Sequence, residues 1–121
     1  MTRLLLAAQG AYYVLTGAWP LVSLRTFEAV TGPKTDDWLV RTVGALAAVI
    51  GATLLLGLGR NPPGREIVFL AVAGAGTFAA IDVAYVLDGT LRPIYLGDAA
   101  AEAILAVALL TSRAVTRRDT P

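Results

Sequence analysis

Four long runs of uncharged or nearly uncharged residues, separated by short polar segments, constrain this chain more than any other feature. The runs are residues 4–24, 38–58, 67–87 and 93–112. A helix needs about 20 residues to cross the hydrocarbon core of a bilayer, and each run has that length. We therefore predict an all-α integral membrane protein, a four-helix bundle whose successive helices run up, down, up and down. In this interpretation residues 1–121 form a single transmembrane domain.

The composition fits a chain that folds in lipid. Hydrophobic residues make up 56% of the sequence and the mean hydropathy is +0.67, which is too apolar for an ordinary soluble domain. The net charge is only +1 and the basic residues are scattered, so we expect no nucleic-acid partner. The chain has no Cys and no His, so acid–base chemistry would fall to carboxylates, Tyr or Lys. We assign no catalytic residue, no metal ligand and no cofactor, and expect the lipid bilayer to be the main partner.

The connecting segments determine the predicted orientation. Residues 60–65 and 88–90 are short turns, and residues 25–37 form a longer loop. Six basic residues share the side of both termini and four lie on the other side, which favours both termini in the cytoplasm. The six are Arg3, Arg60, Arg65, Arg113, Arg117 and Arg118, and the four are Arg25, Lys34, Arg41 and Arg92.

Four ionisable side chains fall within the predicted spans. They are Arg41, Asp82, Asp98 and Glu102. A charge facing lipid at the centre of a helix costs about 3 kcal/mol, so we expect all four to face the bundle interior. Asp98 and Glu102 are four residues apart and share a helix face with Tyr95.

Stripes of small residues support inward positions for Arg41 and Asp82. Such stripes mark surfaces where membrane helices approach closely. The stripe leading to Asp82 is Ala71, Ala75 and Ala79, and the stripe following Arg41 is Gly44, Ala48 and Gly51. We therefore predict that Arg41 and Asp82 contact each other across neighbouring helices.

A polar stripe on the first helix completes a predicted cavity that opens outward; it consists of Gln9, Tyr12 or Tyr13, Thr16 and Trp19. Its apolar floor is expected at Leu54–Leu56, Ile67–Leu70, Ile104 and Leu105. The candidate substrate- or ion-binding residues are Glu102, Asp98, Asp82, Arg41, Tyr13, Thr16 and Tyr95.

One arginine neutralises about one carboxylate, so three carboxylates around Arg41 leave at least one without a counter-charge. Glu102 is the deepest, roughly 14 Å from the outer boundary at 1.5 Å per residue. We therefore expect Glu102 to hold a proton or a cation at neutral pH. The alternative is that these charges only organise helix packing.

The first third of the chain resembles a group of small bacterial four-helix inner-membrane proteins. The stretches that carry the resemblance are Gln9-Gly10-x-Tyr12-Tyr13, Gly17-x-Trp19-Pro20-Leu21 and Val30-Thr31-Gly32-Pro33-Lys34-Thr35-Asp36, followed by Trp38-Leu39-Val40. The resemblance implies a multi-pass protein of the bacterial inner membrane and carries no established activity. In size and topology alone the chain is also similar to DoxX-like four-helix proteins.

Three functions fit these observations. The first is a transporter or permeation protein for a cation, a proton-coupled solute or an amphiphilic ligand, assembled as a homo-oligomer because four helices enclose little space. The second is a structural or accessory membrane subunit. The third is a membrane enzyme that uses carboxylate acid–base chemistry on a lipid or isoprenoid, which is the least favoured because no nucleophile or metal set accompanies the carboxylates.

Overall fold

The structure, a computed structural model, describes residues 1–118, with side chains described for residues 1–113. Over this part of the chain it is all-helical, as the sequence predicts. The helices are α1 (Thr2–Val22), α2 (Leu24–Thr31), α3 (Asp37–Leu56), α4 (Arg65–Leu87) and α5 (Tyr95–Arg118), and a 3₁₀ turn, Gly57–Gly59, follows α3. The side chains of Arg117 and Arg118, counted above for the orientation, lie outside the described part.

The four long helices begin within two residues of their predicted starts. The fourth run differs most, because α5 starts at Tyr95 and continues past Ser112. Pro93 precedes this helix, and its carbonyl oxygen accepts a hydrogen bond from the Leu96 amide at 2.9 Å. The proline therefore forms the turn that leads into α5 and lies outside its first helical turn.

The short helix α2 lies in the segment predicted as a loop. Ser23 starts it, since its side chain accepts a hydrogen bond from the Thr26 amide at 3.3 Å in the manner of an N-cap. Phe27 packs edge-on against Trp19 of α1, with ring centroids 5.4 Å apart. No residue of α2 is fully buried, so this helix lies on the surface at one end of the long helices.

Among the residues that the structure describes, three helical segments are long and apolar enough to cross a membrane: Asp37–Gly59, Arg65–Leu87 and Tyr95–Arg113. Large apolar side chains project from them into the surroundings; Leu46, Phe69 and Val107 are each more than half exposed. Helices that are apolar on the outside as well as at their contacts are typical of proteins in lipid. Helix α1 spans 21 residues but is less apolar, because one of its faces carries polar side chains.

Helix α1 packs most extensively against α3, and α4 against α5. Two glycine pairs bring α1 and α3 together, Gly10 with Gly51 and Gly17 with Gly44, and their order shows that the helices are antiparallel. A Cβ atom at Gly51 would lie 2.6 Å from the carbonyl oxygen of Gly10, so only glycine permits this approach. The small-residue stripe of α3 is thus a helix contact, as predicted, but its partner is α1.

Near residues 57–65, an apolar core forms between the long helices from Leu6, Leu54, Ala71 and Leu109, all fully buried. Ile67 and Leu70 pack against it. These residues include part of the predicted apolar floor. The assignment of Leu56, Phe69 and Ile104 to that floor is wrong, because their side chains are 81%, 72% and 68% exposed.

Candidate functional site

Two adjacent tyrosines of α1 bind the two carboxyl groups of α5. The Tyr12 hydroxyl donates to Oδ1 of Asp98, and the Tyr13 hydroxyl donates to Oε2 of Glu102. Tyr13 and Glu102 are 2% and 1% exposed, so their hydrogen bond is shielded from lipid and water alike. The tyrosines on the polar face of α1 are therefore turned toward α5.

The carboxyl group of Asp82, from α4, joins this cluster. It is 6% exposed and lies against the carboxyl group of Asp98. Its Oδ2 atom is buried and has no hydrogen-bond partner. Since buried polar atoms are nearly always hydrogen-bonded, an unpartnered carboxyl oxygen here marks a costly position.

Gln9 extends the cluster toward the apolar core. It is fully buried, and its Nε2 donates to the carbonyl oxygen of Ala71 on α4 at 2.9 Å. Its Oε1 has no partner, and the side chain lies beside the Tyr13 hydroxyl. Phe78 closes the α4 side, with its ring 5.4 Å from that of Tyr13 in an edge-to-face contact. We refer below to Gln9, Tyr12, Tyr13, Asp82, Asp98 and Glu102 as the carboxyl–tyrosine cluster.

Lys34 and Tyr95 lie at the end of α5 nearest to this cluster. The Lys34 ammonium donates to the carbonyl oxygens of Gly32 at 2.7 Å and Thr31 at 3.1 Å, and it lies 5.3 Å from the centre of the Tyr95 ring. Burial lowers the pKa of Lys34, an effect that Glu28 opposes. The segment after α2 thus folds over the start of α5, three residues before Asp98.

Gly32 permits this fold. Its φ angle is +103°, a region that side-chain-bearing residues rarely adopt. A Cβ atom there would also lie 2.8 Å from Nε of Arg92, the arginine that precedes Pro93. The turn at Gly32 therefore brings the basic side chains of Lys34 and Arg92 to the outer rim of the cluster.

The predicted contact between Arg41 and Asp82 is wrong. Arg41 is exposed, and the ion pair that forms among the described side chains is Arg60 Nη1 with Glu66 Oε1, at 3.7 Å. The glycine stripe that continues from Arg41 packs on α1, whereas Asp82 faces α5, so the two charges belong to different helix contacts. The structure leaves Arg41 outside the cluster.

The structure brings together four of the other sequence-predicted residues: Tyr13, Asp82, Asp98 and Glu102. Tyr95 lies at the rim, as described. The Thr16 hydroxyl donates to the carbonyl oxygen of Tyr12 within its own helix, at 2.7 Å, and makes no bond to the carboxyl groups. Tyr12 and Gln9 join the cluster although they are not among the candidate binding residues. The sequence places Gln9 on the polar stripe of α1, with Tyr12 as the alternative to Tyr13.

Among the described residues, no group of three or more His, Cys, Asp or Glu side chains lies close enough together to hold a metal ion. No protein-family model matches the chain, and neither a curated protein nor a solved structure matches it.

Proposed function

We propose that this chain is a small transporter or permeation protein of a bacterial inner membrane, in which the carboxyl–tyrosine cluster exchanges protons as it handles a cation, a proton-coupled solute or an amphiphile. In this proposal α1 joins the three apolar helices as a fourth span. Both termini lie in the cytoplasm, in keeping with the excess of arginine on their side. The resemblance to small bacterial four-helix proteins supports the location.

The observation that carries the proposal is the position of Asp82. Its carboxyl group is buried against that of Asp98, and one of its oxygens has no hydrogen-bond donor. Two carboxyl groups can hydrogen-bond to each other only when one of them holds a proton. A proton that moves on or off this pair changes the charge of the cluster, and ionisable groups within membrane helices are costly enough to be functional as a rule.

The two tyrosines provide hydroxyl groups through which a proton can pass along the cluster. A phenol both donates and accepts hydrogen bonds. Tyr12 and Tyr13 therefore link the carboxyl groups of α5 to α1. Gln9, also on α1, links it to α4 through the Ala71 carbonyl oxygen. A cationic solute would replace the proton as the counter-charge. Four helices enclose little space, so we propose that the pathway is completed in a homo-oligomer.

The alternative function is that of a structural or accessory subunit. The two tyrosine–carboxyl bonds favour it, because they satisfy one oxygen of Asp98 and one of Glu102 and tie α1 to α5. The two functions differ in the role of Asp82. Its carboxyl group is not held by a tyrosine, so a structural subunit would not depend on it, whereas proton exchange would.

Vesicles that contain the purified protein and a trapped pH-sensitive dye can separate these functions. Addition of Na⁺, K⁺ or the lipophilic cation tetraphenylphosphonium should change the internal pH with at least one of the three. The change should be lost in Asp82→Asn and Glu102→Gln and kept in Asp88→Asn, which alters an exposed acid in the turn after α4. A folded protein that gives no response to any of these cations would rule out cation–proton exchange and favour the structural function.

A further inference from the structure

A second feature, unrelated to the carboxyl–tyrosine cluster, lies at the opposite end of α4. It is a surface groove of about 1070 Å³. The residues that line it are Arg60, Asn61, Pro62, Pro63, Gly64, Arg65, Glu66, Phe69 and Arg113. We call it the arginine groove, because three of these side chains are guanidinium groups and one is a carboxylate.

The arginine groove lies where the apolar segments end. One candidate span ends at Gly59 and the next begins at Arg65. Along α5, Arg113 is the first charged residue after Glu102. The groove lining therefore contains the turn between two apolar segments and the first charged residue after the apolar part of a third. In a bilayer this places it at the level of the lipid headgroups, next to the hydrocarbon core.

The guanidinium groups of the groove are available to an anion. The ion pair between Arg60 and Glu66 is 3.7 Å long, and the two side chains are 76% and 70% exposed, so it is weak and leaves Arg60 free to bind elsewhere. Arg113 is held in place by a hydrogen bond of 3.4 Å from its Nη1 to the carbonyl oxygen of Pro63. Arginine matches phosphate oxygens through paired hydrogen bonds, and these three come from different segments that converge on one space.

The groove also has an apolar wall. Phe69, one turn into α4 from Arg65, is 72% exposed and belongs to the lining. An exposed aromatic ring directly below a set of arginines fits an amphiphile whose head is anionic and whose tail runs down the helix. The volume is also much larger than a free phosphate ion needs.

From this geometry we propose that the arginine groove binds the phosphate headgroup of an anionic phospholipid, with an acyl chain packed against Phe69. Arg60, Arg65 and Arg113 bind the headgroup, and Glu66 weakens the binding by its like charge. The proposal is independent of proton exchange at the carboxyl–tyrosine cluster.

Native mass spectrometry of the detergent-solubilised protein, titrated with phosphatidylglycerol, tests this site. Phosphatidylglycerol should bind more tightly than phosphatidylcholine. Arg60→Gln and Arg65→Gln should each weaken phosphatidylglycerol binding by about fivefold. Arg25→Gln, an exposed arginine near the start of α2, serves as the matched control and should have no effect.

Glu66→Gln should tighten phosphatidylglycerol binding, a gain that a damaged fold cannot produce. Glycerol 3-phosphate, a soluble headgroup, should bind far more weakly than the lipid because it lacks the tail. Equal binding of the two phospholipids, or an equal loss in Arg25→Gln, would overturn the proposal. Binding of glycerol 3-phosphate as tight as that of the lipid would show a site for soluble phosphates and would overturn it too.

Discussion

The Tyr13 hydroxyl donates a hydrogen bond to Oε2 of Glu102, and both residues are almost completely buried between α1 and α5. This bond joins α1, the long helix that is not among the three candidate membrane spans, to α5. It gives Glu102 a partner that is not a positive charge. The first prediction concerns what this bond contributes.

Replacement of Tyr13 by Phe should lower the free energy of unfolding by about 1–3 kcal/mol, because it leaves a buried carboxyl oxygen without its donor. The double variant with Glu102→Leu should lose less than the sum of the two single changes, since the unpaired group is then gone. Reversible unfolding in mixed micelles measures both. Additive losses would contradict a direct bond.

The glycine contact between α1 and α3 gives the second prediction. Gly51→Ala should destabilise the protein strongly, because the added Cβ atom would lie 2.6 Å from the Gly10 carbonyl oxygen and backbone cannot move aside cheaply. Gly76→Ala on α4 is the control, since nothing lies within 4 Å of a Cβ atom there. It should be neutral or stabilise by about 0.5–1 kcal/mol. Similar thermal stabilities for the two variants would disprove the close approach.

The third prediction concerns Glu28 on α2. The neighbouring Asp37 carboxyl group, together with burial, raises the pKa of Glu28 above the ordinary value of 4.5. A raised carboxyl pKa means that the folded state binds more protons than the unfolded chain, so stability should fall as the pH rises from the unfolded pKa through the raised one. Glu28→Gln should remove this dependence. The side-chain carboxyl chemical shift of Glu28, followed by NMR against pH, gives its pKa directly. A Glu28 pKa at or below 4.5 would contradict the prediction.

Asp82 is the subject of the fourth prediction. Because one of its buried oxygens has no hydrogen-bond donor, Asp82→Asn should leave the free energy of unfolding unchanged or increase it, while it abolishes proton exchange. Arg41→Ala should change stability by less than about 0.5 kcal/mol, as expected of an exposed side chain. A large loss of stability in Asp82→Asn would instead assign this residue a structural role.

Sequence reasoning located the long helices and the inward-facing carboxylates, because the length of an apolar run and the cost of a charge in lipid are properties of each helix alone. It failed for Arg41, since periodicity identifies the packed face of a helix but not its partner. The face that follows Arg41 packs on Gly10 and Gly17 of α1, and only the three-dimensional arrangement shows this. It also missed α2, where Arg25 and Glu28 interrupt the apolar pattern and Ser23 was the signal for a new helix.

The same limit applies to the arginine groove. The prolines of residues 60–65 predicted a turn, but the approach of Arg113 to that turn depends on how α5 packs against α4. Arg113 lies 50 residues after Pro63, so the local sequence pattern of the turn cannot assign it to the arginine groove.

Infrared difference spectroscopy of the protein in lipid, between acidic and alkaline buffer, tests the central claim most directly. Proton exchange in the carboxyl–tyrosine cluster predicts a C=O stretching band of a protonated carboxyl group that changes with pH in the wild type. This band should be lost or altered in Asp82→Asn and in Glu102→Gln and retained in Asp88→Asn. Spectra of Asp82→Asn and Glu102→Gln that are identical to the wild type would show that these carboxyl groups exchange no protons, and would contradict the proposed function.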